Sequence, residues 1–277
     1  MRLDLQSVSG RHPSAKFDAA AAIRELSLQV AAGEQLAIIG PSGAGKTTLL
    51  HLMACALKPS SGRMLLDDTD PWQISRRALQ DLRGALFLAP QVPPLPPRQR
   101  VVTSVLAGRL PHENTWASLR SLFYPTDIPR AERALAGFDV SDKLFDRVDR
   151  LSGGERQRVG LARALVSNAS LFLVDEPLSA LDPIRSKRAI ESLTQTAKER
   201  GATLVATLHH VEMALAHFPR IVGLRDGALA FDLRSGDVTE RHLQELYVQH
   251  LDELSGATKA DDYLFPTAPV PVVMHCR

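Results

Sequence analysis

One eight-residue segment limits the possible folds of this chain more than any other. Residues 40–47, GPSGAGKT, contain the complete pattern G-x-x-x-x-G-K-[ST]. The apolar segment 35–39 before it has the length of a strand, and residues 48–53 continue with the apolar spacing of a helix. Strand, glycine-rich turn and helix form the context in which this pattern is a phosphate-binding loop. An unrelated glycine-rich turn would not explain why all three segments agree.

The residue types in this segment suit a phosphate ligand. Glycines let the backbone approach a ligand closely, so that successive N–H groups point at the phosphates, and the positive end of the following helix adds to the attraction. We expect Lys46 to reach the β- and γ-phosphates and the Thr47 hydroxyl to bind Mg²⁺. A loop of this kind does not by itself identify a reaction. The candidate nucleotide contacts are Gly40, Pro41, Ser42, Gly43, Ala44, Gly45, Lys46, Thr47 and Thr48.

Composition and charge restrict the partners. Of 277 residues, 44% are hydrophobic and 23% are charged, which is the balance of an ordinary globular protein that can bury a large core. A formal net charge of +2 gives no strong attraction to nucleic acid or to a membrane surface. No apolar segment approaches the roughly 20 residues that span a bilayer, so if this protein works at a membrane we expect another chain to do the spanning. The distant cysteines Cys55 and Cys276 favour a reduced compartment without disulfides.

Apolar spacing predicts an α/β core that is interrupted by a helical segment. A proline-rich break at residues 93–97 is followed by apolar residues at helical intervals, up to about residue 150. We expect an α/β domain over residues 1–245, with a helical subdomain inserted at about 92–150, and a C-terminal extension over 246–277. Strands are expected at 3–8, 23–30, 35–39, 63–66, 85–89, 171–174, 203–207 and 221–224, and core helices from about 74, from 152 and over 183–200.

A second segment carries the acids that a nucleotide hydrolase needs. Residues 171–174 form an apolar strand that ends in Asp175 and Glu176. A buried strand holds such acids at the carboxyl edge of the sheet, where open α/β folds bind ligands. We assign Asp175 to the Mg²⁺ shell and Glu176 to orienting or deprotonating the attacking water.

The segment 151–157, LSGGERQ, is similar to the signature string of the ATP-binding-cassette (ABC) family. Ser152 is placed to cap a helix, and Gly153 and Gly154 leave room for phosphate oxygens at its positive end. A capped core helix would explain Ser152 but not both glycines. Because the phosphate loop already serves the nucleotide of its own subunit, the resemblance implies a head-to-tail dimer. In that dimer, Ser152, Gly153, Gly154 and Gln157 complete the ATP site of the partner.

Further segments resemble the family in the same order along the chain. Gln91 resembles the glutamine that senses Mg²⁺ and the attacking water, residues 179–182 resemble the loop at the dimer interface, and His209 resembles the histidine on the γ-phosphate. The resemblance implies a P-loop NTPase of the ABC type: a RecA-like α/β core with an N-terminal antiparallel β region and an inserted α-helical subdomain. The implied catalytic residues are Glu176, His209, Gln91 and Lys46, the Mg²⁺ ligands are Thr47, Gln91 and Asp175, and Asp182 is a further nucleotide contact.

Two positions depart from the family pattern. His12 stands where the family's adenine-stacking aromatic residue usually lies, and Phe17 is a competing candidate. Ala89 and Pro90 precede Gln91 where many relatives carry an aromatic residue and a second glutamine, so this hinge is expected to be stiffer.

The resemblance extends to the kind of ABC protein. Residues 105–110, 115–119, 208–212 and 221–227 are similar to the phosphonate importer subfamily. The resemblance implies an ATPase that lies peripherally on the cytoplasmic face of the inner membrane and drives import of phosphonate, phosphite or a related oxyanion. Its implied partners are a second copy of the subunit, an integral membrane permease and a periplasmic or lipoprotein substrate-binding protein.

Two other functions fit parts of the sequence. A soluble ABC ATPase that acts on nucleic acid or the ribosome would carry the same nucleotide segments. The near-neutral charge and the absence of arginine-rich or aromatic-interleaved segments disfavour it, and we expect no nucleic-acid partner. A small-molecule kinase would account for residues 40–47 but not for residues 151–157.

Overall fold

The structure is a computed structural model that describes residues 1–12, 21–113, 116 and 127–248. Phe17, Cys276 and all of the predicted C-terminal extension beyond residue 248 lie outside these residues. Cys55 is a free, buried thiol. Within the described part of the chain, no helix is long and apolar enough to cross a membrane.

Strands and helices follow the predicted order closely. The strands are β1 (Leu3–Gly10), β2 (Ile23–Val30), β3 (Gln35–Ile39), β4 (Ser61–Leu66), β5 (Leu86–Ala89), β6 (Leu171–Asp175), β7 (Thr203–Thr207), β8 (Arg220–Arg225) and β9 (Ala228–Arg234). The helices are α1 (Lys46–Met53), α2 (Arg76–Gly84), α3 (Val101–Leu106), α4 (Ile128–Ala136), α5 (Gly153–Val166), α6 (Pro183–Glu199), α7 (Val211–His217) and α8 (Glu240–Leu246). The sequence pattern does not predict β9, α7 or α8. Helix α2 begins later than expected, because the Ser75 hydroxyl caps it.

Two sheets organise the strands. The first is antiparallel, in the order β2-β1-β4, and the second has six strands in the order β5-β6-β7-β3-β8-β9. Strands β5, β6, β7, β3 and β8 run parallel, whereas β9 pairs antiparallel with β8 at the edge. The expected antiparallel β region and α/β core are therefore both present.

The parallel strands are buried on both faces, which is why they consist of continuous apolar runs. Along β3, Leu36 and Ile38 belong to the core that α1 shares with the antiparallel sheet. Ala37 and Ile39 belong to the core that contains α3, α4, α5 and α6. This alternation follows from the period of two residues in a strand. The phosphate loop thus starts from a strand that is fixed from both sides.

The described part of the predicted helical subdomain packs on α5. Helices α3 and α4 both contact α5, and every residue of α3 is buried. Arg158 of α5 donates to the carbonyl oxygens of Phe138 (3.1 Å) and Asp139, just beyond the end of α4. These contacts agree with a helical insertion, and its limits at about 92 and 150 stay a prediction.

Candidate nucleotide site

The phosphate loop leaves the end of β3 and turns directly into α1. Gly40 and Gly45 have positive φ angles of 154° and 101°, which residues with a side chain rarely adopt. A Cβ at Gly40 would collide with the carbonyl oxygen of Leu224, and one at Gly45 with that of Ala22. Neighbouring backbone therefore requires glycine at both positions.

The N-terminus of α1 is open to an anion. Its N-cap is Gly45, no side chain caps it, and its first turn carries no acid, so the positive end of the helix is not offset. Lys46 is 5% exposed, and its Nζ donates to the carbonyl oxygens of Gly40 (2.7 Å) and Pro41 (3.2 Å). Thr48 is buried, Thr47 is half-buried and Ser42 is exposed. Uncapped N–H groups beside a fixed ammonium suit a phosphate group.

The register of β6 and β7 fixes the two predicted acids. Asp175 lies directly beside Thr207 in the sheet. The Thr207 hydroxyl donates to Asp175 Oδ1 (2.6 Å) and accepts from the backbone N–H of Glu176 (3.0 Å). Asp175 is 4% exposed. Sequence reasoning missed Thr207, because a threonine at the end of a buried strand becomes informative only when the strand register is known.

Three predicted catalytic residues, Gln91, Glu176 and His209, are in contact, with Glu176 between the other two. Gln91 Nε2 donates to Glu176 Oε2 at 2.9 Å, and His209 Nε2 lies 2.5 Å from Glu176 Oε1. Gln91 follows β5 and His209 follows β7, on either side of β6, so the parallel register brings them to one edge of the sheet.

The charge of Glu176 is set by opposing effects. Burial raises the pKa of Glu176, but the hydrogen bond and charge of His209 and the charge of Lys46 outweigh it, so that the net pKa is below the ordinary value. Glu176 is therefore a carboxylate at neutral pH and can accept a hydrogen bond or a proton from water.

The predicted Mg²⁺ ligands offer oxygen donors from three kinds of group. Among the described residues, no cluster of three or more His, Cys, Asp or Glu side chains is placed to hold a metal. Thr47, Gln91 and Asp175 instead provide a hydroxyl, an amide and a carboxylate. Mg²⁺ typically takes one or two carboxylates together with substrate phosphates and water. The residues fit an ion that binds with a nucleotide and not one that the protein holds alone.

The N-terminus of α5 carries the second set of predicted contacts. Ser152 Oγ accepts from the N–H of Glu155 (3.3 Å), and Glu155 Oε2 accepts from the N–H of Ser152 (2.7 Å). Ser152 and Gly153 are exposed. A Cβ at Gly153 would meet nothing within 4 Å, whereas one at Gly154 would lie 2.7 Å from the carbonyl oxygen of Ala180. Ser152 and Gly153 at this helix end are therefore accessible to another molecule.

The sequence assigns three further residues to nucleotide contact, and the structure does not test these contacts. Gln157 is 4% exposed, and its Nε2 donates to the carbonyl oxygen of Glu176 at 2.9 Å. Asp182 caps α6 by accepting from the N–H of Arg185 at 3.0 Å. His12 is exposed beyond the end of β1. The contacts of these three residues with a nucleotide stay a prediction.

Comparison with known proteins extends this picture. A family model described as ABC transporter matches residues 23–179. Over the full length of both chains, the sequence is 76% identical to phosphonates import ATP-binding protein PhnC 2 of Albidiferax ferrireducens. It is 70% identical, again over both full lengths, to phosphonates import ATP-binding protein PhnC of Polaromonas sp.. A solved dimeric ATP-binding cassette, in a post-hydrolysis state with ADP and Pi, matches with a TM-score of 0.72 and 25% identity, over 84% of this chain and 98% of that chain.

Proposed function

Because this chain belongs to the ABC transporter family, as the ATP-hydrolysing subunit of an importer, we propose that its transporter carries phosphonates or related oxyanions. The observation that supports this cargo is the full-length identity of 76% to a phosphonate import ATP-binding protein. The alternative of a soluble ABC ATPase that acts on nucleic acid or the ribosome is not favoured, since the relatives are named as import proteins.

ATP binds to the phosphate loop, with its β- and γ-phosphates at Lys46 and at the open N-terminus of α1. Thr47, Gln91 and Asp175 would hold Mg²⁺, which supplies positive charge to the phosphates when it is bound. Glu176 orients a water molecule and accepts its proton as the water oxygen attacks the γ-phosphorus. The bond between that phosphorus and the bridging oxygen breaks, and ADP leaves with the electron pair. His209, beside Glu176, is placed to contact the γ-phosphate.

The working unit is a pair of these subunits on a membrane permease. We assign Ser152, Gly153 and Gly154 of each copy to the γ-phosphate of the ATP that is held by the other copy. The exposure of Ser152 and Gly153 supports this arrangement. ATP must favour the closed pair for its energy to reach the permease, since a ligand shifts only an equilibrium that it distinguishes. The subunit lies at the cytoplasmic face of the inner membrane, and a substrate-binding protein delivers the phosphonate.

The test is ATP-dependent uptake of methylphosphonate by vesicles that contain the subunit, its permease and the substrate-binding protein. Glu176→Gln should lower ATP hydrolysis and uptake by about 100-fold or more, because it removes the base, and it should trap an ATP-bound pair. Glu191→Gln, at an exposed position of α6, serves as the control and should retain both activities.

The role of Glu176, the cargo and the transport function would be contradicted by three different results. Normal hydrolysis by Glu176→Gln would refute the assigned role of this residue. Uptake of an unrelated solute in place of phosphonates would remove the cargo and leave the ATPase intact. Recovery of the chain with RNA or ribosomes, without a permease, would favour the soluble alternative.

A further inference from the structure

A cavity of about 120 Å³ lies between the segment that carries Gln91 and helix α5. Its walls include Phe87 of β5, Pro93 of the Gln91 segment, Val174 of β6 and Arg163 of α5. The phosphate loop contributes nothing to these walls. Because about 10–15 Å³ is enough for one water molecule, the cavity can hold a small organic molecule.

Arg163 brings a positive charge to this cavity, whose walls also include Asp175. Its Nε is buried and has no hydrogen-bond partner among the described residues. Burial lowers the pKa of Arg163, and no nearby acid offsets that effect. Arg158, earlier on the same helix, instead donates to the carbonyl oxygens of Phe138 and Asp139. Arg163 as a whole is half-buried, and its buried Nε has no partner within the described chain. A guanidinium N–H that is shielded from water ordinarily pairs with a carboxylate or a phosphate-like group.

The apolar part of the cavity wall indicates which kind of anion would fit beside Arg163. Phe87, Pro93 and Val174 present carbon atoms to the cavity. An inorganic anion would satisfy Arg163 but leave this apolar surface without contacts. An oxyanion that carries a few carbon atoms matches both parts, since small-molecule sites combine an apolar lining with a small number of polar groups.

The cavity also adjoins the catalytic residues. A Cβ at Gly160 would lie 2.6 Å from Pro93 Cγ, so this glycine allows Pro93 to rest directly on α5. Two residues before Pro93, Gln91 donates to Glu176. Gln157 and Asp175 border the same cavity. A molecule beneath Pro93 would therefore contact the segment that positions Gln91.

We propose that this cavity binds a short-chain organic oxyanion, with its charged group on Arg163 and its carbon chain against Phe87 and Pro93, and that the bound molecule slows ATP hydrolysis by restraining the Gln91 segment. Both phosphonates and carboxylates have this chemistry. The site itself does not depend on the cargo of the transporter. Only feedback by the imported compound rests on the proposed function.

Binding is tested on the full-length chain saturated with MgADP, which occupies the phosphate loop. Ethylphosphonate, propionate and inorganic phosphate are titrated while calorimetry and the arginine Nε–H resonances are recorded. The Arg163 resonance, identified by its loss in Arg163→Gln, should shift with an organic anion and respond less to inorganic phosphate. Arg163→Gln should weaken binding about tenfold or more, as expected for loss of a charged hydrogen bond. Arg77→Gln, at an exposed position of α2, should leave binding unchanged.

Ala89→Val provides a second variant that keeps the charge of Arg163. Ala89 lines the cavity at the end of β5, where a β-branched residue suits the strand, and the added methyl groups should reduce the space and the binding. Thermal unfolding verifies that each variant is folded. Equal binding by the wild type and Arg163→Gln, or no binding of either organic anion at millimolar concentration, would overturn the site.

The choice between the two anions identifies the source of the ligand. Stronger binding of ethylphosphonate supports feedback by the imported compound, and stronger binding of propionate supports a cellular carboxylate. The anion that binds better, added on the ATP side of vesicles with the assembled transporter, should lower the steady-state ATPase rate of the wild type but not of Arg163→Gln. An unchanged rate with the anion bound would overturn the regulatory part of the proposal.

Discussion

Helices α1 and α5 both present an N-terminus to which a phosphate contact is assigned, yet the two ends are built in opposite ways. Helix α1 starts after Gly45, without a side-chain cap and without an acid in its first turn. Helix α5 starts after Ser152, where Ser152 and Glu155 form a reciprocal capping box. That box satisfies N–H donors within the chain, and the carboxylate of Glu155 offsets the positive helix end.

This contrast indicates that the two helix ends bind phosphate at different stages, first in a single chain and then in the pair. The end of α1 retains unused donors and positive charge, so one chain suffices for it to bind phosphate. At the end of α5, the capping box already occupies some of the N–H donors and offsets some of the positive charge. We therefore expect its exposed residues to contact the nucleotide that a second chain holds. We infer that changes at α1 alter ATP binding by a single chain, whereas changes at α5 alter the activity of the pair and leave ATP binding by a single chain unchanged.

The largest expected effect comes from removing the ammonium at the α1 end. Lys46→Ala should lower the ATP affinity of the isolated chain by about 100-fold, because a charged, water-excluded partner of the phosphates is lost. Titration with a fluorescent nucleotide measures the affinity at concentrations where the chain is monomeric. Lys58→Ala, in the exposed turn that follows α1, is the control and should bind normally. Unchanged affinity in Lys46→Ala would mean that the loop alone does not determine binding.

Much of this contrast is visible in the sequence, because both helix ends lie in short patterns with local causes. Strands β2, β3 and β7 begin and end where the sequence predicts. For β3 and β7 the reason is that buried parallel strands need continuous apolar residues. The missed strand β9 is an edge strand with mostly exposed or half-buried residues, so its sequence lacks that signal. Helices α7 and α8 are short, and tertiary packing decides whether such helices form.

In the candidate site too, some residues are predictable from the sequence, whereas other contacts are not. Gln91, Glu176 and His209 were predicted from strand ends and motif order, and they meet in the structure. The contacts of Thr207 with Asp175 and of Gln157 with the carbonyl oxygen of Glu176 depend on register and packing between distant segments. A single sequence does not encode such geometry in a readable pattern.

A smaller effect is expected at the α5 end. Ser152→Ala should lower the ATPase rate of the assembled pair by about tenfold, through loss of a hydrogen bond to a charged group, while the ATP affinity of the isolated chain stays unchanged. Loss of the cap should also destabilise the fold by about 1 kcal/mol. Ser75→Ala is the matched control, because Ser75 caps α2 by accepting from the N–H of Ala78. It should show a similar loss of stability with a normal ATPase rate; a reduced rate there would mean that stability alone explains the effect.

The smallest effect isolates the charge that distinguishes the two helix ends. The N–H of Ser152 donates to the carboxylate of Glu155 and holds the pKa of Glu155 below its ordinary value, against the opposing effect of burial. A lowered pKa stabilises the fold above the ordinary value and loses that contribution as the pH falls through the lowered value. Glu155→Gln keeps a capping-box side chain without the charge. Between about pH 6 and about pH 3, urea unfolding should therefore show a smaller loss of stability in Glu155→Gln than in the wild type, by roughly 0.3–1 kcal/mol. Glu191→Gln should follow the wild-type curve. Coincident curves for Glu155→Gln and the wild type would mean that hydrogen-bond saturation, and not charge, separates the end of α5 from that of α1.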